Sequence, residues 1–468
     1  MSLPESPNIS TANTDPSEVD SKLGNDPKLK SKERDRLAKI RAHFDRSPYP
    51  RQALESQPTP LNRYQHCLVT AYHRRYQKLI DTQGMRILDV GCGSGYGSLT
   101  LALANPGTTV VGVDLSPASI DLAQKRMDHY GFGDRSRFEV LSLENLDQLL
   151  PEKFDYINCD ELLYLQPDPA VGLAAMKTVL ADDGIIRTNL HNRLQRAYFF
   201  RAQELFHLMG LMDGNPGEME VEVVRELFEA LRNSTLLKKA TWSSGKADIE
   251  EYFMMNYLFH GDRGFTVPEM LDCTERAELD WVSMVGWQSW CIEDLLRDPD
   301  DMPAFLAMGL SMASEGEKLH IHDLLASEHR LLDFWCGHPE ANREFLGVEE
   351  WEPHHWQTAR GARNPQINNE KFKAGLREAV TGFNDLQMRR FFNVIWGMET
   401  ISGAIVIGLI PLLDGAKTFA ELVDYWKKVC PIDSVSLAPT TTEQASAPLR
   451  YLLTELAKWG YVLPEQMD

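Results

Sequence analysis

The sequence predicts an α/β fold, a doubly wound, mostly parallel sheet with a helical N-terminal lid and a helix-rich C-terminal domain. Three observations lead there. Between residues 84 and 191, short apolar runs alternate with helical segments at the spacing of successive βα units. The first run, MRILDVG over 85–91, is largely apolar, as a strand buried on both faces requires. It leads directly into glycines at alternate positions, Gly91, Gly93 and Gly95, where the missing side chains admit a ligand close to the backbone.

Residues 1–30 are rich in Ser, Pro, Asn, Asp and Lys and read as a disordered tail. Residues 31–83 form the helical lid: a charged helix over 30–45, a break at SPYPRQ (47–52) where proline cannot continue it, and a second helix over 63–80. The main domain is expected over 84–295. Its strands are 85–91, 109–116, 136–143, 154–165 and 185–191. Helices are expected over 97–105, over 117–131 with Pro117 harmless at its start, and over 169–184, closed by Gly184. Residues 192–250 read as mainly helical, and 265–287 as a helix followed by a strand of the same sheet. The helix-rich domain is expected over 296–468, with amphipathic helices in 412–426 and 447–464.

Composition bounds the function. The chain has 468 residues, enough for two or three domains. Its net charge of −20 disfavours a general nucleic-acid binder, which needs a basic footprint. From Asp414 to Asp468 there are eight acidic and five basic residues, which argues against reading the C-terminal helices as a DNA-binding module. Seven scattered cysteines, with no C-x-x-C pair, point to reduced thiols inside the cell. No apolar run is long enough to span a bilayer, so a cytoplasmic protein without a membrane partner is expected. Histidines in LHIHDLL (319–325) and EPHHWQ (352–357) supply no coherent ligand spacing, and no metal is expected. Six of the ten tryptophans, 281, 287, 290, 335, 351 and 356, read as core anchors.

The glycine loop narrows the cofactor. No Gly-Lys-Ser/Thr follows it, so it is not a phosphate-binding P-loop. The dinucleotide pattern G-x-G-x-x-G fails in both frames, at Tyr96 and at Ser98. S-adenosyl-L-methionine carries no pyrophosphate and needs neither pattern. It needs close approach at its methionine end, and an acid after the second strand for its ribose. Asp114 stands there, and Asp89 is placed to orient an ammonium group.

These segments in order, LDVGCGSG, VVGVDLS, FDYINCDELLYL and VLADDGIIRTNL, resemble the class I S-adenosylmethionine-dependent methyltransferases over about 84–190. The resemblance implies a Rossmann-like methyltransferase sheet and a cofactor set of Asp89, Gly91, Gly93, Gly95, Asp114, Leu115, Leu143 and Asp160. Where the family often carries an acid after strand three, this chain has Ser142, which leaves the backbone N–H of Leu143 for the adenine. HFDRSPYPRQ (43–52) resembles a methyltransferase lid, with Tyr49 placed to close over the cofactor.

Acceptor residues are expected at the ends of strands four and five: Asp160, Glu161, Tyr164, Asn189 and His191. Tyr164, His191 and His260, the last in YLFHGDRGF, are the catalytic candidates. The family's Asn-Pro-Pro-Tyr motif for planar nitrogens is replaced by DELLYLQ. Beyond strand five the chain resembles methyltransferases with an extra C-terminal domain, some of which modify protein side chains, lysine among them. GLIPLLDGAKTFAELV (408–423) is similar to their small winged-helix-like regulatory module, placed near 380–468. The expected acceptor is a protein side-chain nitrogen of Lys or Asn, the alternative a small-molecule N- or O-acceptor. The oligomeric state stays open.

Overall fold

A computed structural model describes residues 48–246, 249–339, 346–367, 369–391, 400–433 and 435–467. The expected tail over 1–30 and charged helix over 30–45 lie outside these residues.

The helix expected over 63–80 is two helices, α1 (Pro60–Gln65) and α2 (Leu68–Tyr76). The break has a local cause. The Asn105 side chain accepts from Leu68 N (2.8 Å) and donates to His66 O (2.9 Å), replacing helical partners at the junction.

The sheet follows the expected alternation: β1 (Arg86–Val90), α3 (Tyr96–Ala104), β2 (Thr109–Asp114), α4 (Pro117–His129), β3 (Ser136–Val140), β4 (Phe154–Cys159), α5 (Pro169–Val179) and β5 (Leu180–Asn192). Strands β3-β2-β1-β4-β5 are ordered in this way and run parallel. Successive connections turn outward in opposite directions from β1, so the gap between the ends of β1 and β4 is the topological switch point, where such sheets bind ligands.

Helix α5 ends at Val179, not at Gly184, because Leu180 already pairs with Phe154 in β5. The register then slips, and Tyr156 meets Ile185. Gly184 serves this bulge: a Cβ there would fall 2.7 Å from the Leu180 side chain and 2.9 Å from Ala181 O.

After β5 come four helices, α6 (Ala197–Leu208), α7 (Glu218–Ala230), α8 (Leu236–Thr241) and α9 (Glu250–Asn256), packed around Phe206, Phe228, Phe253 and Tyr257. The chain returns to the sheet at β6 (Gly264–Phe265), which pairs in parallel with the last two residues of β5. Next are α10 (Val267–Arg276), β7 (Asp280–Met284), α11 (Ala304–Met312), α12 (Glu315–Ala326) and β8 (Leu331–Gly337). Strand β8 lies antiparallel between β5 and β7. The boundary expected at 295/296 therefore falls inside the sheet domain. The run LLDFWCG supplies a strand, five of whose seven residues are buried, in a stretch otherwise read as helical.

The C-terminal unit has its own core, including Trp356, Phe372, Leu409 and Leu449. It contains β9 (Ala359–Arg363), α13 (Glu370–Gly382), β10 (Leu386–Gln387), β11 (Thr400–Ile401), β12 (Lys417–Thr418), α14 (Phe419–Val429), α15 (Thr442–Lys458) and β13 (Val462–Gln466). Strand β9 pairs with both β12 and β13, so residues before 380 complete the sheet of this unit. The unit grips the lid helices: His73 Nε2 meets Pro464 O at 2.6 Å, and Asn364 donates to Thr70 Oγ1 at 2.9 Å. Of the six tryptophans, 290, 335, 351 and 356 are buried, and 281 and 287 half-buried.

Candidate active site

A cavity of about 250 Å³ opens at the switch point. The glycine loop forms its floor. Gly93 adopts φ +50°, and a Cβ on it would stand 2.2 Å from Tyr49 O, so the lid backbone needs a glycine beneath it. Gly95 (φ +76°) lies behind the wall: it begins α3 and abuts Ala123 of α4, where a Cβ would meet Ala123 Cα at 2.6 Å. It shapes the loop without lining the cavity.

The lid is strapped down by polar contacts. Ser94 donates to Tyr49 O (2.8 Å) through its N–H and to Pro50 O (2.9 Å) through its hydroxyl. The buried Arg126 guanidinium donates to the carbonyls of Gln52, Ala53 and Leu54 (2.8, 2.8 and 3.2 Å). Tyr49 and Pro50 thereby form one wall of the cavity.

Asp89, Gly91, Gly93, Asp114, Leu115, Leu143 and Asp160 all line the cavity. Asp114 closes the β2 end, accepting from Gly93 N (3.0 Å) and Ser116 N (2.8 Å). Asp89 is buried and accepts from Ser98 Oγ (2.6 Å) and Asn158 Nδ2 (2.8 Å). Burial pushes its carboxyl up to about 6, against the pull of those two hydrogen bonds. Asn158 passes the network on: its Oδ1 accepts from Arg187 Nη1 (2.9 Å), and Arg187 Nη2 donates to Asp333 on β8 (2.7 Å). The same Arg187 Nη1 reaches His66 Nε2 at 2.9 Å and stands 3.6 Å from Asp160. Burial, with Arg187 alongside, lowers the pKa of His66 below the usual histidine range.

The far wall is Asp160 and Glu161, on the turn after β4. Glu161 has φ +58°, a left-handed conformation uncommon for a residue other than glycine. Asn189 on β5 holds this turn, accepting from Glu161 N (2.9 Å) and donating to Asp160 Oδ1. Burial opposes ionisation of Asp160, but Arg187 and His66 overcome it and hold the group well below the carboxylate range. Glu161 is likewise held at about 2, burial being outweighed by Arg330 and His191. Arg330, from the segment before β8, grips both Glu161 oxygens.

The three catalytic candidates do not line the cavity. Tyr164 and His191 are buried one layer behind Glu161, stacked with ring centroids 3.7 Å apart. Tyr164 Oη donates to Glu161 Oε2 (3.1 Å), while His191 stands between Glu161 (3.3 Å) and Asp262 (2.5 Å). Burial, then the Glu161 charge, raises the Tyr164 phenol well above its usual range, which keeps it a hydrogen-bond donor to Glu161. Both residues position Glu161. His260 is remote, its Nε2 against Gly214 O at 2.7 Å, and it is its neighbour Asp262 that joins the network.

Sequence reasoning missed several wall residues: Asn62, His66, Tyr96, Asn158, Glu144 and Gln166. Two had a visible signal. Asn158 is a polar residue inside an apolar strand, and Glu144 is an acid two positions past Ser142, where the family's carboxylate was sought.

The lining holds five carboxylates (Asp89, Asp114, Glu144, Asp160, Glu161) and, among the described residues, no lysine or arginine. Such a wall repels pyrophosphate and suits a ligand that carries an ammonium and a sulfonium. Residues 81–249 match the family model described as a methyltransferase domain. An uncharacterised protein of Synechococcus sp. is 31% identical over 301 residues, 64% of this chain and 71% of that one. Ubiquinone biosynthesis O-methyltransferase of Actinobacillus pleuropneumoniae is 34% identical over 124 residues, 26% of this chain, and the chain spans about half (52%) of that relative's length. The structure of PKMT2 from Rickettsia typhi shares the fold, with TM-score 0.57 and 16% identity over 87% of this chain and 76% of that one. The same protein in complex with AdoHcy gives TM-score 0.57 over 90% of this chain and 78% of that one. The methyltransferase-domain match, the sheet order and the methyltransferase relative agree: the chain belongs to the class I S-adenosylmethionine-dependent methyltransferases, with an added C-terminal region.

Proposed function

We propose that the enzyme methylates a protein side-chain nitrogen, and that the acceptor is a lysine amine. One observation carries this reading: the wall beyond Asp89 is formed by Asp160 and Glu161, both held ionised, on a turn fixed by Asn189 and Arg330. An amide of Asn has no available lone pair and gains little from two carboxylates, whereas an amine is attracted to them as a cation. The C-terminal unit supports a protein acceptor, since it extends the chain well beyond what encloses the cavity. The likeness to PKMT2, which runs over most of the chain, supports it too.

In this reading Asp114 and Leu143 hold the nucleoside end of the cofactor and Asp89 its ammonium. When bound, S-adenosylmethionine supplies an electrophilic methyl on a sulfonium. The substrate ammonium first gives its proton to solvent, because only the neutral amine has a lone pair. As the nitrogen–methyl bond would form, the methyl–sulfur bond would break with its electron pair left on sulfur, S-adenosylhomocysteine would leave as a neutral thioether, and positive charge would build on nitrogen. Glu161, anchored by Arg330, His191 and Tyr164, offers a fixed negative charge at that point without becoming protonated. Tyr49 and Pro50 exclude water above the reacting atoms.

A size-fractionated lysate incubated with the purified protein and tritiated S-adenosylmethionine tests this. Label on a discrete protein band, recovered as methyl-lysine after hydrolysis, is expected. Label confined to small molecules would replace this reading with a small-molecule N- or O-methyltransferase, the alternative that the kinship with ubiquinone biosynthesis O-methyltransferases favours.

A further inference from the structure

Away from the cavity, at the C-terminal end of α12, three potential ligands converge: His322, Glu328 and His329. Each offers one ligand atom, and all three atoms lie within 4.8 Å of one another. His322 is 1% exposed, and its Nδ1 has no hydrogen-bond partner. A buried ring nitrogen left unpaired is costly and calls for an occupant. The His329 ring is already held in place: its Nε2 meets Ser289 O at 3.0 Å and stands 3.9 Å from the Glu328 carboxylate, and the ring stacks on Trp290 with centroids 4.3 Å apart. Trp290 also covers His322, with centroids 5.3 Å apart, so one side of the cluster is apolar. Glu328 is 39% exposed and leaves the other side open to an arriving ion.

We propose that His322, Glu328 and His329 bind a divalent transition-metal ion of the zinc class. Two imidazoles and one carboxylate are a recurrent three-ligand set for such ions, with a further position left for water. A hard cation such as Mg²⁺ or Ca²⁺ would instead seek an all-oxygen shell. The sequence hid the site because LHIHDLL contributes only His322, while the other two ligands come from the turn after the helix. Bound metal would tie α12 to the segment that enters β8. That segment's next residue is Arg330, the partner of Glu161. A metal held there would fix in place an anchor of the proposed acceptor wall.

The test uses the full-length protein, stripped with a chelator and titrated with Zn²⁺ by calorimetry, with Co²⁺ as a spectroscopic substitute. One Zn²⁺ per chain at micromolar affinity or tighter is expected, with visible Co²⁺ bands of low-coordinate intensity. His322→Gln and His329→Gln should each weaken binding by at least about 100-fold, beyond what loss of an outer-shell partner does. Glu328→Gln, at an exposed position that folding tolerates, should weaken it by about tenfold or more. Retained S-adenosylmethionine affinity checks that the variants are folded. Zn²⁺ binding only at millimolar concentration, or with equal affinity in all three variants, would overturn the proposal.

Discussion

At the β1–β2 edge of the cavity, the wall residues are held mostly from within one stretch of chain, 89–116: Asp114 accepts from Gly93 and Ser116, and Asp89 from Ser98, with Asn158 of β4 as a more distant partner of Asp89. At the β4–β5 edge, partners come from far along the chain. Glu161 is gripped by Arg330, His191 by Asp262, and His66 by Arg187. The first edge is a compact local device and the second a long-range network that exists only once the sheet has closed. A cofactor common to many enzymes can be held by a portable segment, whereas an acceptor wall must be assembled by the fold that surrounds it. The two edges should therefore fail differently when altered.

The largest separation is expected at Glu161. Glu161→Gln keeps its shape and removes the charge proposed to face the methylated nitrogen. Losing one preorganised electrostatic contact lowers kcat by about 10²–10³-fold. Cofactor affinity, set at the other edge, should change little. Steady-state kinetics on the labelled acceptor, beside calorimetry with S-adenosylmethionine, would show the split. A parallel loss of cofactor affinity would mean that the two edges are not independent.

Asp114→Ala probes the opposite edge. It removes the proposed ribose acceptor together with the anchors for Gly93 and Ser116. Loss of a charge-assisted hydrogen bond costs about 1.5–3 kcal/mol, or roughly 10–150-fold in affinity. Calorimetry should show this in the dissociation constant, with kcat at saturating cofactor nearly preserved. Unchanged affinity would remove Asp114 from the cofactor set.

The same contrast explains what was legible in the sequence. The glycine loop, Asp89 and Asp114 could be placed from a single contiguous pattern, because strand, turn and helix follow one another there without interruption. Tyr164 and His191 were recognised as chemically capable, but their depth was not: strand periodicity tells which face a residue takes, not whether another side chain stands in front of it. Arg330 and Asp262 carried no local signal, since their partners lie 169 and 71 residues away. Strand β8 was missed because its apolar run follows two helices, and only pairing with β5 and β7 reveals it. Arg187 was the signal available and not used: a cation in the middle of an apolar strand needs a buried anion, and Asp333 supplies it.

A smaller, graded effect is expected from pH. In the cofactor-free protein, burial pushes Asp89 up to about 6. An ammonium group bound beside it favours the carboxylate, so binding releases a proton. Affinity for S-adenosylmethionine should then rise with pH up to about 6 and level off above, falling by up to about tenfold per pH unit below. The sign for stability is opposite. A carboxyl raised in the folded state favours folding at pH below its unfolded value, and that contribution fades as pH rises through about 6. Asp89→Asn should flatten both profiles, read by calorimetry and by thermal melts without cofactor. A pH profile that persists in Asp89→Asn would assign the proton to another wall residue.

The smallest effect belongs to His260, where sequence and structure disagree most. Its flanking residues suggested a base, yet its ring rests on the carbonyl of Gly214 within the helical insertion, apart from the cavity. His260→Ala removes one exposed hydrogen bond and touches neither edge. Its cost should stay near the 0.5 kcal/mol typical of such sites, with kcat and cofactor affinity within about twofold of the parent. Asp262→Asn, two residues on, should behave differently: it unseats His191, loosens Glu161 and lowers kcat. The pair isolates what matters in this loop, because adjacent substitutions share its backbone but only one reaches the acceptor wall. A large kcat loss in His260→Ala, with stability retained, would show that the insertion swings over the cavity during turnover and brings the imidazole to the substrate.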